Sequence, residues 1–329
     1  HIATSIDLYF GPGWTPPGTG LGWVGVDLFF VLSGFIMVWT TRNTKPGPRA
    51  TVAFWTRRAL RVYPPYWAAL VMLVIMTTAL PALAAHTSGA GIWQSIMLLP
   101  ADEDPYLNPG WTLIYELWFY LVFGLLLLAP KKWLGPLLGV WALAIIGGAL
   151  HFGMDTGPVL HVIVNPLSLN FLMGAAVALV MSPQQEGIAN PRIAAFAAAA
   201  AAFGLLAGAW YVTETGWNEW TRMLACGPAS ALLVAAAVHA DQHGMLRPPA
   251  TLVRLGDWSY ALYLTHQPLV FAITIVCAAT FGHDSLSAVG IAIVLGLTIP
   301  FVATAVLHQF VERPAQSLGR NLARKIEAK

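Results

Sequence analysis

The chain has 329 residues, of which 57% are hydrophobic and 10% charged, with a formal net charge of +2. Its mean hydropathy is +0.66. A soluble domain carries about a quarter charged residues, so this composition cannot supply a polar surface and the solvent must be lipid. No nucleic-acid partner is expected. Cys226 and Cys277 are single residues in apolar runs and suggest neither a disulfide framework nor a zinc site.

The chain opens at His1, and HIATSIDLYF reads as the tail of a longer apolar segment, so the true N-terminus is expected to lie upstream. A helix needs about 20 apolar residues to cross the hydrocarbon core. Candidate spans run to about Phe10 and then over 22–41, 62–80, 110–129, 133–151, 159–181, 193–212, 222–240, 255–278 and 287–309. Turn residues cluster between them at 11–20, 44–48, 101–110, 182–191 and 243–249. Period-two alternation of barrel strands is absent, so the spans are helices. The expected fold is an all-α polytopic transmembrane bundle of about ten spans, the first truncated. It forms one domain over 1–329, with no internal repeat and no separate soluble domain.

Charge alternates between the connections. Arg42, Lys45, Arg49, Arg57, Arg58 and Arg61 fall in one, Lys131 and Lys132 in the next but one, then Arg192, then Arg247 and Arg254. Arg313, Arg320, Arg324, Lys325 and Lys329 follow the last span. Asp7, Asp102, Glu103, Asp104, Asp155, Glu214, Glu219 and Asp284 sit on the other side, where Arg222, at a span edge, is the one candidate cation. The positive-inside rule makes the basic connections and the C-terminus cytoplasmic.

Ionisable residues inside spans are functional candidates. Here they are His1, Asp27, Glu116 and His266. Helix rise puts His1 about 14 Å from the outer end of its span, Asp27 about 8 Å and Glu116 about 9 Å, with His266 near the midplane. A histidine near neutral pKa can take a proton from a hydroxyl, and a neighbouring carboxylate can orient it and stabilise its charged form. Asp27 and Glu116 are the candidates for that second role. A structural network joining helices is the other reading of the set.

Weaker signals surround these. FWTRRALRVYPPYW puts Arg57, Arg58 and Arg61 beside aromatics at a span entrance, where guanidinium forks suit phosphate and a topology signal suits equally. His239 and His243 stand at i, i+4, but no third ligand is near and no metal is expected. HQFVERP ends the last span with an adjacent acid and base, read as a charged helix end. Ser33-Gly34 reads as close helix packing rather than a nucleophile.

Taken in order, several segments resemble the membrane-bound acyltransferase-3 family: His1, GWVGVDLFFVLSGF, FWTRRALRVYPPYW, NPGWTLIYELWFYLVFGLLLL, LGDWSYALYLTHQPL and FVERPA. They span the chain, and the WTLIYE form looks closest to the succinoglycan-type exopolysaccharide acetyltransferases. The resemblance implies transfer of an acyl group, most simply acetyl, from cytoplasmic acetyl-CoA to a sugar hydroxyl of a polysaccharide or lipid-linked saccharide. The enzyme would sit in a bacterial inner membrane, with lipids around it. His1 would be the essential histidine, Glu116 the acid of a Trp-(Ser/Thr)-Leu-x-x-Glu motif and Asp27 the acid of a Gly-Val-Asp motif. Arg57, Arg58 and Arg61 would match the basic segment near the CoA. Trp111, Tyr115 and His266 are expected at the substrate. The rival class is a transporter or flippase for a lipid-linked sugar, against which stands the lack of repeat halves and of matched broken helices. A non-catalytic scaffold would have no need of the buried charges.

Overall fold

The computed structural model describes residues 1–11, 13–16, 18–87, 89–181, 191–245, 247–283 and 285–328. Asp284, Lys329 and most of the expected 182–192 connection therefore lie outside the described residues. Within them every regular element is helical. In chain order these are α1 (Ile2–Phe10), α2 (Gly25–Thr41), α3 (Pro48–Ala79), α4 (Ile92–Met97), α5 (Gly110–Leu126), α6 (Leu134–Phe152) and α7 (Pro158–Val164). Then come α8 (Ser168–Val180), α9 (Pro191–Thr215), α10 (Glu219–Gln242), α11 (Ala250–Phe281), α12 (Leu286–Leu307) and α13 (Arg313–Ala328).

Eight stretches among the described residues are long and apolar enough to cross a membrane, and the shorter Gly110–Leu126 is also apolar. Together with α1 they correspond to the ten expected spans. The fold is a polytopic membrane helical bundle. Three segments differ from the sequence reading. Helix α3 starts at Pro48 rather than near 62, so Arg57, Arg58 and Arg61 stand on a helix and not in a connection; proline suits a first helical position and arginine is a good helix former. The span expected over 159–181 is two helices, α7 and α8, interrupted at Asn165-Pro166-Leu167. Pro166 has no N–H to continue the ladder, and the Asn165 side chain accepts from the Leu167 amide at 2.9 Å, re-satisfying a freed donor. The tail after the last span is also helical: a π-turn, His308–Glu312, leads into α13.

The chain divides into two compact units, one of His1–Gly20, Val52–Ile114 and Ala250–Lys329, the other of Leu21–Thr51 and Tyr115–Pro249. In the first, α1 packs on α11 and α12 through a small core of Ile6, Phe10, Cys277, Ala278, Ala288, Val289 and Ala292. Hydroxyl pairs tie the helices where no water competes: Ser5 with Thr274 at 3.0 Å and Thr265 with Thr304 at 3.2 Å. The Tyr260 hydroxyl donates to the Val62 carbonyl at 2.9 Å, joining α11 to α3.

In the second unit α2 and α8 lie back to back. A Cβ on Gly34 would come within 1.8 Å of the Phe171 carbonyl oxygen, and one on Gly174 within 1.8 Å of the Val31 oxygen. Two glycines thus let the backbones touch, as small residues do in membrane interfaces, which is the packing read from Ser33-Gly34. Beside this seam Phe171 stacks on Phe30 and Phe119 at 4.3 and 4.6 Å, and Phe119 stacks on Trp141 at 5.4 Å.

Candidate active site

In the first unit His1 and His266 line one pocket of ≈ 660 Å³, together with Ser259 and Tyr263 and a mostly apolar wall that includes Val270, Pro300 and Phe301. The two imidazoles lie 5.0 Å apart, centroid to centroid, with their planes at 55°. His1 stands at the start of α1, which Ser5 anchors to Thr274 of α11. His266 Nδ1 lies 2.9 Å from both the Leu262 and the Tyr263 carbonyl oxygens. A carbonyl can only accept, so Nδ1 carries a proton, and whenever the ring is neutral its lone pair is at Nε2.

The wall beside His266 is tied to the start of α5. The Tyr263 hydroxyl donates to the Pro109 carbonyl at 3.0 Å and lies 2.7 Å from the Thr112 hydroxyl. Trp111 sits between these two anchors, half-buried, but does not line the pocket. Arg57, Arg58 and Arg61 of α3 belong to the same unit. Arg57 holds Glu327 of α13 at 2.7 Å. The Arg58 guanidinium lies 5.5 Å from the Phe54 ring, and Arg61 acts electrostatically on Glu312. Glu312 pairs with His308 Nδ1 at 2.9 Å and accepts from Gln316 at 3.0 Å, so the acid and base of HQFVERP hold each other across the π-turn.

In the second unit Glu116 is buried in α5. Its Oε1 accepts from the Ser33 hydroxyl at 3.3 Å and from the Tyr120 hydroxyl by a short bond. Tyr115 is also buried, and its hydroxyl accepts from Asn165 at 3.1 Å. Asn165 in turn donates to His161 Nε2 at 3.0 Å, since His161 Nδ1 is committed as donor to the Met154 carbonyl.

Asp27, fully buried, has a partner the sequence reading did not give it. Arg222 donates through Nε to both carboxylate oxygens, at 3.2 and 2.9 Å, and its other nitrogen Nη2 lies 2.9 Å from Oδ2. Asn170 adds a bond at 2.9 Å. The guanidinium is flanked by Trp23 and Trp217, each 4.9 Å from it to the ring centroid. The structure thus brings together His1 with His266, and Asp27 with Arg222 and Asn170. It describes Glu116 and Tyr115 in the second unit and His1, His266 and Trp111 in the first. Asn170, Tyr120 and Tyr263 are the polar groups missed, and the sequence reading names Arg222 and Ser33 without these partners. The available signals were the solitary Arg222 on the acidic side, two asparagines inside one span, and Tyr120 one turn after Glu116.

His243 Nδ1 donates to the His239 carbonyl at 2.8 Å. Among the described residues no three His, Cys, Asp or Glu side chains group so as to hold a metal ion.

The chain is similar to several characterised proteins along nearly its whole length. It is 29% identical over 320 residues to the exopolysaccharide production protein ExoZ of Rhizobium meliloti, covering 94% of this chain and 93% of that one. It is 27% identical to the acyltransferase MdmB of Streptomyces mycarofaciens, covering 91% and 82%. The peptidoglycan O-acetyltransferase OatA of Listeria monocytogenes is 24% identical over 91% of this chain, which spans about half, 52%, of that protein. No solved structure matches. Residues 1–306 match the acyltransferase domain of the acyltransferase-3 family, a match that runs through both units. The chain belongs to that family and is a multi-pass membrane acyltransferase.

Proposed function

We propose that the enzyme moves an acetyl group from cytoplasmic acetyl-CoA to a sugar hydroxyl of an exopolysaccharide or lipid-linked saccharide, in a bacterial inner membrane with its C-terminus cytoplasmic. The observation that carries this reading is the pocket lined by two imidazoles 5.0 Å apart. The names of the relatives, one in exopolysaccharide production and one a peptidoglycan O-acetyltransferase, favour a polysaccharide acceptor.

His1 is the base that takes the proton of the sugar hydroxyl, or the nucleophile that first carries the acyl group. In the first case the hydroxyl oxygen attacks the thioester carbonyl, the carbon–sulfur bond breaks, and the proton passes from imidazole to the departing sulfur. His266, with Nδ1 committed to backbone, offers Nε2 as an acceptor for a neighbouring hydroxyl of the sugar, which orients the ring while His1 takes the reacting proton. Glu116 is the second catalytic group, and Trp111 and Tyr115 bind substrate. Asp27 acts as a positioning residue, because its oxygens are occupied by Arg222 and Asn170.

The donor fits the basic stretch of α3. Arg57 already holds one anionic oxygen, that of Glu327, at 2.7 Å, and guanidinium donors suit phosphate oxygens likewise. Arg57, Arg58 and Arg61 would hold the CoA phosphates, and the donor supplies the activated acyl group. Purified protein should be stabilised by CoA, by about 2.7 kcal/mol at a hundredfold excess over Kd. Substituting Arg57, Arg58 or Arg61 by Ala should raise the KM for acetyl-CoA about ten- to hundredfold and leave the acceptor KM unchanged. No stabilisation by CoA, with no transfer from labelled acetyl-CoA to saccharide, would overturn the proposal. Unchanged donor affinity in all three variants would return the arginines to topology and lipid contact.

A further inference from the structure

The second unit carries a concavity far in sequence from the histidines. It has a volume of ≈ 240 Å³ and is walled by the ends of α2, α5, α6 and α8. Three cations line it, Arg42, Lys45 and Lys131, and no carboxylate does among the described residues. The Arg42 guanidinium carbon lies over the Trp39 ring, 3.8 Å from its centroid. Cation–π contact of this kind fixes the plane and leaves the hydrogen-bonding edge free to meet a ligand. Lys131 donates to the Arg42 carbonyl at 2.6 Å, which pins the loop before α6 to the end of α2. An ammonium has three donors, so that bond leaves others for the concavity. The Gly47 amide donates to the Leu127 carbonyl at 2.9 Å, which holds the Lys45 loop against the end of α5.

Topology alone asks for cations anywhere in these connections. It does not ask that three converge on one hollow with an aromatic shelf and a hydrocarbon wall. That wall, including Leu127, Leu134 and Ala178, continues onto Leu179, which is 43% exposed on the outer surface. A ligand here meets positive charge at one end and aliphatic surface at the other. We propose that this concavity binds the phosphate headgroup of an anionic phospholipid, with Arg42, Lys45 and Lys131 on the phosphate and the first acyl methylenes on the leucine wall. A basic pocket between helix ends at the membrane interface is the charge pattern such a headgroup matches. The inference is independent of the donor and acceptor assigned above, since it uses none of their residues.

The test uses the full chain, purified in neutral detergent and offered phosphatidylglycerol or phosphatidylcholine at equal concentration, with bound lipid counted by native mass spectrometry. Phosphatidylglycerol should be retained about tenfold or more over phosphatidylcholine. The double variant Arg42→Gln, Lys131→Gln should bring that preference close to unity, with its melting curve reported alongside. Lys45→Glu, at an exposed loop position, supplies the second arm and should weaken retention without unfolding the protein. Equal retention of the two lipids, or a preference unchanged in both variants, would overturn the proposal. Displacement of the lipid by saturating acetyl-CoA or by inorganic phosphate would overturn it too, by making the hollow a nucleotide or phosphate site.

Discussion

The histidine pocket of the first unit and the ion pair of the second both place ionisable groups inside a chain built for lipid, and they differ in what is left over. Around Asp27 the carboxylate oxygens are taken by Arg222 and Asn170, two tryptophans close over the guanidinium, and both charges are buried. Around His266 the backbone fixes one nitrogen, and the ring lines an open pocket shared with His1. A polar group whose bonding capacity is met internally holds helices together. One whose capacity is half met, beside a pocket, is available to a substrate.

That contrast is open to experiment. The largest effect is expected at His1. His1→Ala should lower acetyl transfer about 10²–10⁴-fold while the protein stays folded and binds CoA, and His266→Ala should lower it less. A His1→Ala protein with near-normal turnover would remove the pocket from the chemistry.

Next is Arg222→Ala, which leaves the Asp27 carboxylate buried without its cation. Breaking a buried pair from one side costs about 3–5 kcal/mol, so unfolding in detergent should show a large loss of stability. Replacing both partners, as Asp27→Leu with Arg222→Met, should lose less than Arg222→Ala alone. If Arg222→Ala instead left stability intact and abolished turnover per folded molecule, the pair would belong to catalysis and the contrast between the regions would fail.

The smallest effect is expected at Ser33→Ala, which removes a long 3.3 Å bond to Glu116. The loss should be about 0.5–1.5 kcal/mol in stability, with turnover nearly unchanged because Tyr120 still donates to the same oxygen. A turnover loss as large as that of Glu116→Gln would make Ser33 part of the working site.

Length, composition and the spacing of apolar runs determined the helical membrane fold, the number of spans and the residues that stand out in them. The reason is physical: lipid offers no hydrogen bonds, so each span must be a self-satisfied helix and every ionisable residue inside one is conspicuous. The order of the motifs determined the family. Which of those conspicuous residues meet was decided only by tertiary structure. Asp27 and Arg222 are 195 positions apart, and nothing local in either segment names the other. His1 and His266 stand on helices from opposite ends of the chain, joined by the packing of α1 on α11. The reach of α3 back to Pro48 and the break at Pro166 have local causes, a first-turn proline and a missing N–H, that hydropathy alone does not register. Hydropathy marks where a helix can enter lipid, whereas its ends depend on caps, prolines and the surfaces it packs against.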